Sequence, residues 1–139
     1  MPTDYVVDAS AIGRLVYEHA DTPQFQAWLD TRKRGRSRFF APDLLPHELA
    51  SIVQRVYGGG SHGGDTEFLR RTVTAALQGI ALDDTAWART WTLAGSLSHY
   101  DATYVALALA KGATLVTFDK RTAAEARKHL PVIGVDGLD

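Results

Sequence analysis

The 139-residue chain contains no cysteine. Disulfide scaffolds, thiolate zinc sites and thiol nucleophiles are therefore excluded. An excess of one charge is also missing, since 15 Lys and Arg against 16 Asp and Glu leave a formal charge of −1. A globally basic nucleic-acid binder looks different, so any contact with RNA or DNA has to use a local patch. Long apolar runs are absent as well. The longest, Tyr104 to Ala110, falls far short of the roughly 18 residues that suggest a membrane span. No basic region followed by an apolar stretch opens the chain, so no signal peptide is expected. Neither an internal repeat nor a domain linker is visible. With 45% hydrophobic residues there is enough apolar material for a continuous core. The expectation is one soluble, cytoplasmic domain over residues 1–139, with no membrane association.

What is present is an alternation of short apolar strands with helical patterns. Tyr5-Val6-Val7 reads as a buried strand with β-branched residues, ending on Asp8. Residues 9–18 read as a short helix, and Pro23 suits the first turn of a second one that runs to Arg34-Gly35. Phe39-Phe40-Ala41 is a strand stopped by Pro42, and 44–57 carries Leu49, Ile52, Val53 and Val56 at helical spacing. A glycine-rich break at 58–64 follows, then a helix over 65–78 and a strand over 80–82. A helix over 86–97 comes next, with Asp84 or Thr85 as its cap, and a second helix over 102–111 opened by Asp101. The chain closes with a strand over 113–118, a helix over 122–129 and a strand over 131–135. Strands alternating with helices predict a mainly parallel sheet of about five strands with helices on both faces.

Four acids occupy comparable topological points. Asp8 and Asp119 each sit at the end of a predicted strand, while Glu48 and Asp101 sit in the first turn of a predicted helix. In a parallel α/β sheet those points share one edge, the edge where ligands bind. Each acid taken singly has a structural role open to it: Asp101 as a cap, Glu48 as a first-turn acid, Asp119 in an Asx turn. Asp8, flanked by alanine, has no such partner. Together, four carboxylates at one edge repel one another unless a cation neutralises them. Oxygen-only ligands favour Mg²⁺ or Mn²⁺ over zinc, and the chemistry such ions serve is phosphodiester hydrolysis. Asp8 and Asp101 are the expected direct ligands. Asp119 and Glu48 are expected to bind through water, with Glu48 also a candidate for orienting the nucleophile. Thr117 and Ser10 add hydroxyls at the same edge.

The segments Val7-Asp8-Ala9-Ser10-Ala11, Pro46-His47-Glu48-Leu49, Tyr100 to Ala108 and Leu115 to Arg121 resemble, in order and spacing, the PIN-domain family. The likeness is closest to VapC-type toxins of prokaryotic toxin–antitoxin pairs. It implies a three-layer α/β/α sandwich and a Mg²⁺- or Mn²⁺-dependent endoribonuclease with Asp8, Glu48, Asp101 and Asp119 as the acidic cluster. It also implies that Thr117 and Ser10 belong to the site, that a cognate antitoxin binds the chain, and that the chain forms a homodimer. Two other readings stay open: an RNA-processing nuclease without an antitoxin, and a non-catalytic binding module of the same fold.

Other residues have phosphate- or base-binding chemistry. The densest basic run, Arg32 to Arg38, and Arg14, a helical turn beyond Ser10, are candidate RNA contacts. Trp28, Trp87 and Trp91 have faces on which bases can stack, although packing or a dimer surface explains the last two better. His47 and His99 each neighbour a cluster acid in sequence, which by itself does not place them at a metal.

Overall fold

The computed structural model describes residues 2–58, 65–93 and 95–138. Five strands form one fully parallel sheet: β1 (Tyr5–Val7), β2 (Phe39–Ala41), β3 (Ile80–Leu82), β4 (Thr114–Val116) and β5 (Val132–Ile133). Their spatial order is β3-β2-β1-β4-β5, and helices flank the sheet in a three-layer α/β/α sandwich. Tyr5 pairs with Phe39 on one side and Thr114 on the other, so β1 is central. A central strand covered on both faces needs apolar side chains at every position, and Tyr5, Val6 and Val7 are all buried. The edge strand β3 shows the opposite pattern, with Ala81 and Leu82 exposed.

The chain builds β1, β2 and β3 outward in one direction, then returns to lay β4 on the other side of β1. That reversal creates a crevice at the carboxyl ends of β1 and β4, where open α/β sheets bind ligands. The return is made by α6 (His99–Lys111), which buries Ala102 and the whole stretch Tyr104 to Ala108 and ends where Gly112 takes φ +60°. Only a residue without a Cβ adopts that left-handed conformation freely.

Several boundaries differ from the sequence expectation. Residues 9–18 are not one helix, since α1 (Ala9–Ile12) gives way to a 3₁₀ turn over Gly13–Leu15. The helix α2 (Thr22–Arg34) ends as expected, and α3 (Leu45–Tyr57) and α4 (Thr66–Ala76) follow their periodicity closely. The expected 86–97 helix shrinks to a 3₁₀ turn, Trp87–Arg89, and the single turn α5 (Thr90–Leu93). Gly95 at φ +120° turns the chain soon afterwards. Asp101 does not cap α6. Ser98 does, its Oγ accepting the Asp101 N–H at 3.1 Å, so the helix starts three residues earlier and the Asp101 carboxylate is released from capping. The last helix, α7 (Lys120–Ala126), is capped by Asp119 and starts two residues before expected. The glycine-rich break lies outside the described residues from Gly59 to Gly64.

Candidate active site

Asp8 follows β1 directly and is 5% exposed. Contrary to the sequence expectation it has structural partners: its Oδ1 accepts from Ser10 Oγ at 2.7 Å and from the Ala11 N–H at 3.0 Å, which caps α1, a cap the residue pattern did not assign. Burial pushes its pKa up to about 6, against the pull of hydrogen bonds from Ser10, Thr117 and Ala11, and the charge of Asp101 adds to the rise. An acid this buried, with donors but no cation, is costly to ionise.

Ser10 ties β1 to β4. Its Oγ donates to Asp8, accepts from the Phe118 N–H at 2.8 Å and the Asp119 N–H at 3.2 Å, and lies 3.2 Å from Thr117 Oγ1. Thr117 is fully buried, so it supports Asp8 from behind and does not reach solvent. Asp119 is exposed, and its Oδ1 accepts the Thr122 N–H at 2.9 Å to cap α7.

Glu48, in the first turn of α3, accepts a 2.5 Å hydrogen bond from the Tyr104 hydroxyl of α6. Burial raises its pKa and the Asp101 charge raises it further, while the Tyr104 bond opposes both. Tyr104 itself is held protonated, by burial first and then by the neighbouring Glu48 carboxylate.

Asp8, Glu48, Asp101 and Asp119 all line one open cavity of about 350 Å³. They arrive from four separate elements: the ends of β1 and β4 and the first turns of α3 and α6. No cation within ion-pair distance of any of the four is found among the described residues. Nor is any group of three or more Asp, Glu and His side chains gathered closely enough to hold a metal ion among those residues. The four acids offer oxygen donors only, the kind that Mg²⁺ and Mn²⁺ take.

Other expected contacts fall elsewhere. Arg14 does not line the cavity: its Nε is 3.5 Å from Asp21 Oδ2 and its guanidinium lies 5.6 Å from the Phe118 ring centre. The basic run before β2 is at the amino edge of the sheet, opposite the acids, where Arg38 pairs with Asp4 at 2.7 Å and Arg32 packs on Trp28. Trp28 is buried among Tyr5, Phe25 and Phe39 and presents no face to a base. Trp87 and Trp91 are more than half exposed and meet edge to face at 6.0 Å. His47 and His99 line a different depression, beside Trp87 and Tyr100.

Three lining residues were not singled out from sequence: Ser51, Arg55 and Tyr104. A signal for them exists. Residues 48, 51, 52 and 55 follow the i, i+3, i+4, i+7 spacing of one helical face, and Tyr104 is i+3 from Asp101.

Comparison with known proteins agrees with this architecture. The PIN domain family description matches residues 5–128. Ribonuclease VapC9 of Mycobacterium tuberculosis is 30% identical over 132 residues, covering 91% of this chain and 94% of its own. Among solved structures, PAE2754 from Pyrobaculum aerophilum superposes with a TM-score of 0.69 at 23% identity, over 99% of this chain and 95% of that one. VapC20 of Mycobacterium tuberculosis, a sarcin–ricin loop cleaving toxin, superposes at 0.62 with 16% identity, over 86% and 93%. A match spanning nearly the whole chain, over a fold that gathers the four acids at the β1–β4 crevice, has one conclusion: the chain belongs to the PIN domain family.

Proposed function

We propose that the chain is a divalent-metal-dependent endoribonuclease, the toxin member of a toxin–antitoxin pair. The observation that carries this is the convergence of four carboxylates from four elements on one cavity, none of them in an ion pair among the described residues. Asp8 and Asp119 each cap a helix and Glu48 accepts from Tyr104, but no ion pair answers any of the four among those residues, and a buried carboxylate such as Asp8 is stable as an anion only when positive charge is supplied. The relative named as a VapC ribonuclease supports RNA as the substrate and an antitoxin as the partner.

Asp8 and Asp101 would hold Mg²⁺ or Mn²⁺ directly, and Asp119 and Glu48 through water. When bound, such an ion neutralises charge at a phosphodiester and makes water more acidic. The chain's own groups do the rest. The Tyr104 hydroxyl fixes one Glu48 oxygen, so the other is oriented to take a proton from the attacking water. Ser10 and Thr117 keep Asp8 in a single orientation. Water adds to phosphorus, the P–O bond to the leaving ribose oxygen breaks, and that oxygen takes up a proton.

The test is incubation of wild type and Asp101→Asn with total cellular RNA, in Mg²⁺ or Mn²⁺ and then with chelator. Discrete fragments from wild type with metal are expected. The variant is expected to lose at least about a hundred-fold in rate while keeping its circular dichroism spectrum. Equal cleavage by the variant, or cleavage that survives chelation, overturns the reading. Co-purification of a small DNA-binding protein encoded next to the chain is expected. Its absence would favour an RNA-processing nuclease.

A further inference from the structure

Five of the chain's 15 Lys and Arg lie within the seven residues 32–38, with no acid among them. This run is at the amino edge of the sheet, opposite the four carboxylates. Successive residues of a helix point about 100° apart, so the end of α2 sends its cations in different directions. Arg32 turns inward, its guanidinium 4.9 Å from the Trp28 ring centre and its Nε 3.3 Å from the Tyr5 hydroxyl. Lys33 lies across the turn before β3, where a Cβ on Gly79 would stand 3.6 Å from its Nζ. Arg36 precedes β2, and Arg38 reaches Asp4 just before β1. The cations thus cover the amino ends of three neighbouring strands, β3, β2 and β1, a width of about 10 Å at the usual strand spacing. Lys33, Arg34 and Arg36 are exposed and take part in no ion pair among the described residues.

Attraction to the helix dipole accounts for cations in the last turn of α2. It does not account for Arg36, which has φ +66° and is the one non-glycine with a positive φ among the described residues. The helix closes there through two bonds, Ser37 N–H to the Arg32 carbonyl and Arg36 N–H to the Lys33 carbonyl, each 3.0 Å. In that closure the left-handed residue is commonly glycine, because a Cβ crowds the backbone. The chain has its glycine one residue too early, at Gly35, and an arginine where glycine fits best. A cation is held there against the preference of the backbone, and residues of that kind gather at functional positions.

The surface is polar throughout. None of the large exposed hydrophobic residues lies within 32–38, and Trp28 and Phe39 beneath the run are buried. A protein interface is anchored by aromatic or aliphatic side chains, and a membrane-surface segment by inserted apolar ones. A phosphate backbone asks only for cations and donors, and four of these five cations are arginines, whose forks match phosphate oxygens in pairs. Resting on the nuclease reading for the kind of nucleic acid, we infer that the amino edge is a second RNA-binding surface, centred on Lys33, Arg34 and Arg36, that holds the backbone of a folded RNA away from the cut. Charge divides the work. The carboxylates repel phosphate until a metal ion is bound, so they supply chemistry and little attraction. The basic edge attracts RNA without a metal. No strand exceeds three residues, about 10 Å, so a folded RNA lying along the side of the sandwich reaches both edges.

The test is binding in chelator, where no cleavage occurs. A fluorescein-labelled RNA hairpin is titrated with the full chain over a range of salt, following anisotropy. Wild type is expected to bind. The triple variant Lys33→Gln, Arg34→Gln, Arg36→Gln should reduce the slope of log affinity against log salt by about 2. Arg70→Gln, Arg71→Gln, Arg89→Gln, which takes the same charge from other exposed positions, should leave the slope unchanged. Arg36→Gly should reduce it by about 0.7 and yet unfold at a higher urea concentration than wild type, because glycine relieves the left-handed backbone. No binding by wild type, equal losses in the two triple variants, or wild-type binding by Arg36→Gly overturns the inference. So does equally tight binding of polyglutamate or of phosphatidylserine vesicles at the same salt, which would give the surface to an acidic protein or a lipid. Cleavage of the hairpin by wild type in Mg²⁺ or Mn²⁺ is read in parallel. Its absence counts against the nuclease reading, whereas the titrations in chelator decide the surface.

Discussion

Asp8 and Asp83 occupy the same kind of position, each the first residue after a parallel strand, yet their surroundings are opposite. Asp83, after the edge strand β3, meets Lys111 Nζ at 2.6 Å and also accepts from the backbone N–H and hydroxyl of Thr85. The Lys111 and Thr85 bonds hold its carboxyl well below the usual range. Lys111 in turn lies 4.3 Å from the Phe40 ring centre, so the pair ties α6 to the sheet. Asp8, after the central strand β1, is given hydroxyl and amide donors but an acid, Asp101, for its charged neighbour. One aspartate is completed by the fold. The other caps α1 but has no ion-pair partner among the described residues, which is what the proposed metal role requires of it.

The same substitution at the two positions should therefore have opposite signs. Asp8→Asn keeps the capping oxygen and removes the charge that burial disfavours. In metal-free buffer at pH 7.5 it should stabilise the protein by about 3 kcal/mol at most, the equivalent of raising a carboxyl from 3.8 to about 6. Folded Asp8 binds its proton more tightly than the unfolded chain does. Wild type therefore has its full Asp8 contribution below about pH 4 and loses it as pH rises through 6. Urea unfolding of both proteins across that range checks this, because other carboxyls cancel in the difference. A variant no more stable than wild type at pH 7.5 would break the comparison.

Tyr104→Phe probes an acid answered by a neutral donor. It removes the 2.5 Å bond to Glu48 and leaves a half-buried carboxylate without it, at a cost of about 2 kcal/mol at neutral pH. Stability by urea unfolding should fall least at low pH, where Glu48 is protonated, and RNA cleavage should slow through kcat more than KM. Asp83→Asn should have the smallest effect, a loss of about 1 kcal/mol that shrinks in high salt. A larger loss at Asp83 than at Tyr104 would mean that the edge strand, not the crevice, carries the tighter coupling.

Much of the fold is legible along the chain. The three-residue strands β1, β2 and β3 stand where their β-branched and aromatic residues put them, and α3 follows the periodicity of its apolar face. The errors have local causes. Ser98 takes the cap assigned to Asp101, because two capping residues three apart compete for one helix start and spacing alone does not choose. Gly95 ends the expected 86–97 helix early through a backbone angle that composition does not display. Arg14, chosen for its nearness in sequence to Ser10, turns to Asp21 instead. Arg55, seven residues from Glu48, faces the cavity because α3 passes it two turns later.

The sequence by itself determined the chemistry available: four acids at element ends, hydroxyls beside them, no thiols, and a strand–helix alternation that forces one parallel sheet. It could do so because strand ends and helix starts share an edge whenever every connection is a crossover. Only the tertiary structure decided which charges are answered. Whether an aspartate meets a lysine or another carboxylate depends on side chains brought together from distant elements, as Lys111 is to Asp83 and Asp101 is to Asp8. Burial, which pushes Asp8 up to about 6, likewise comes from the whole packed assembly around it and has no local signature in the chain.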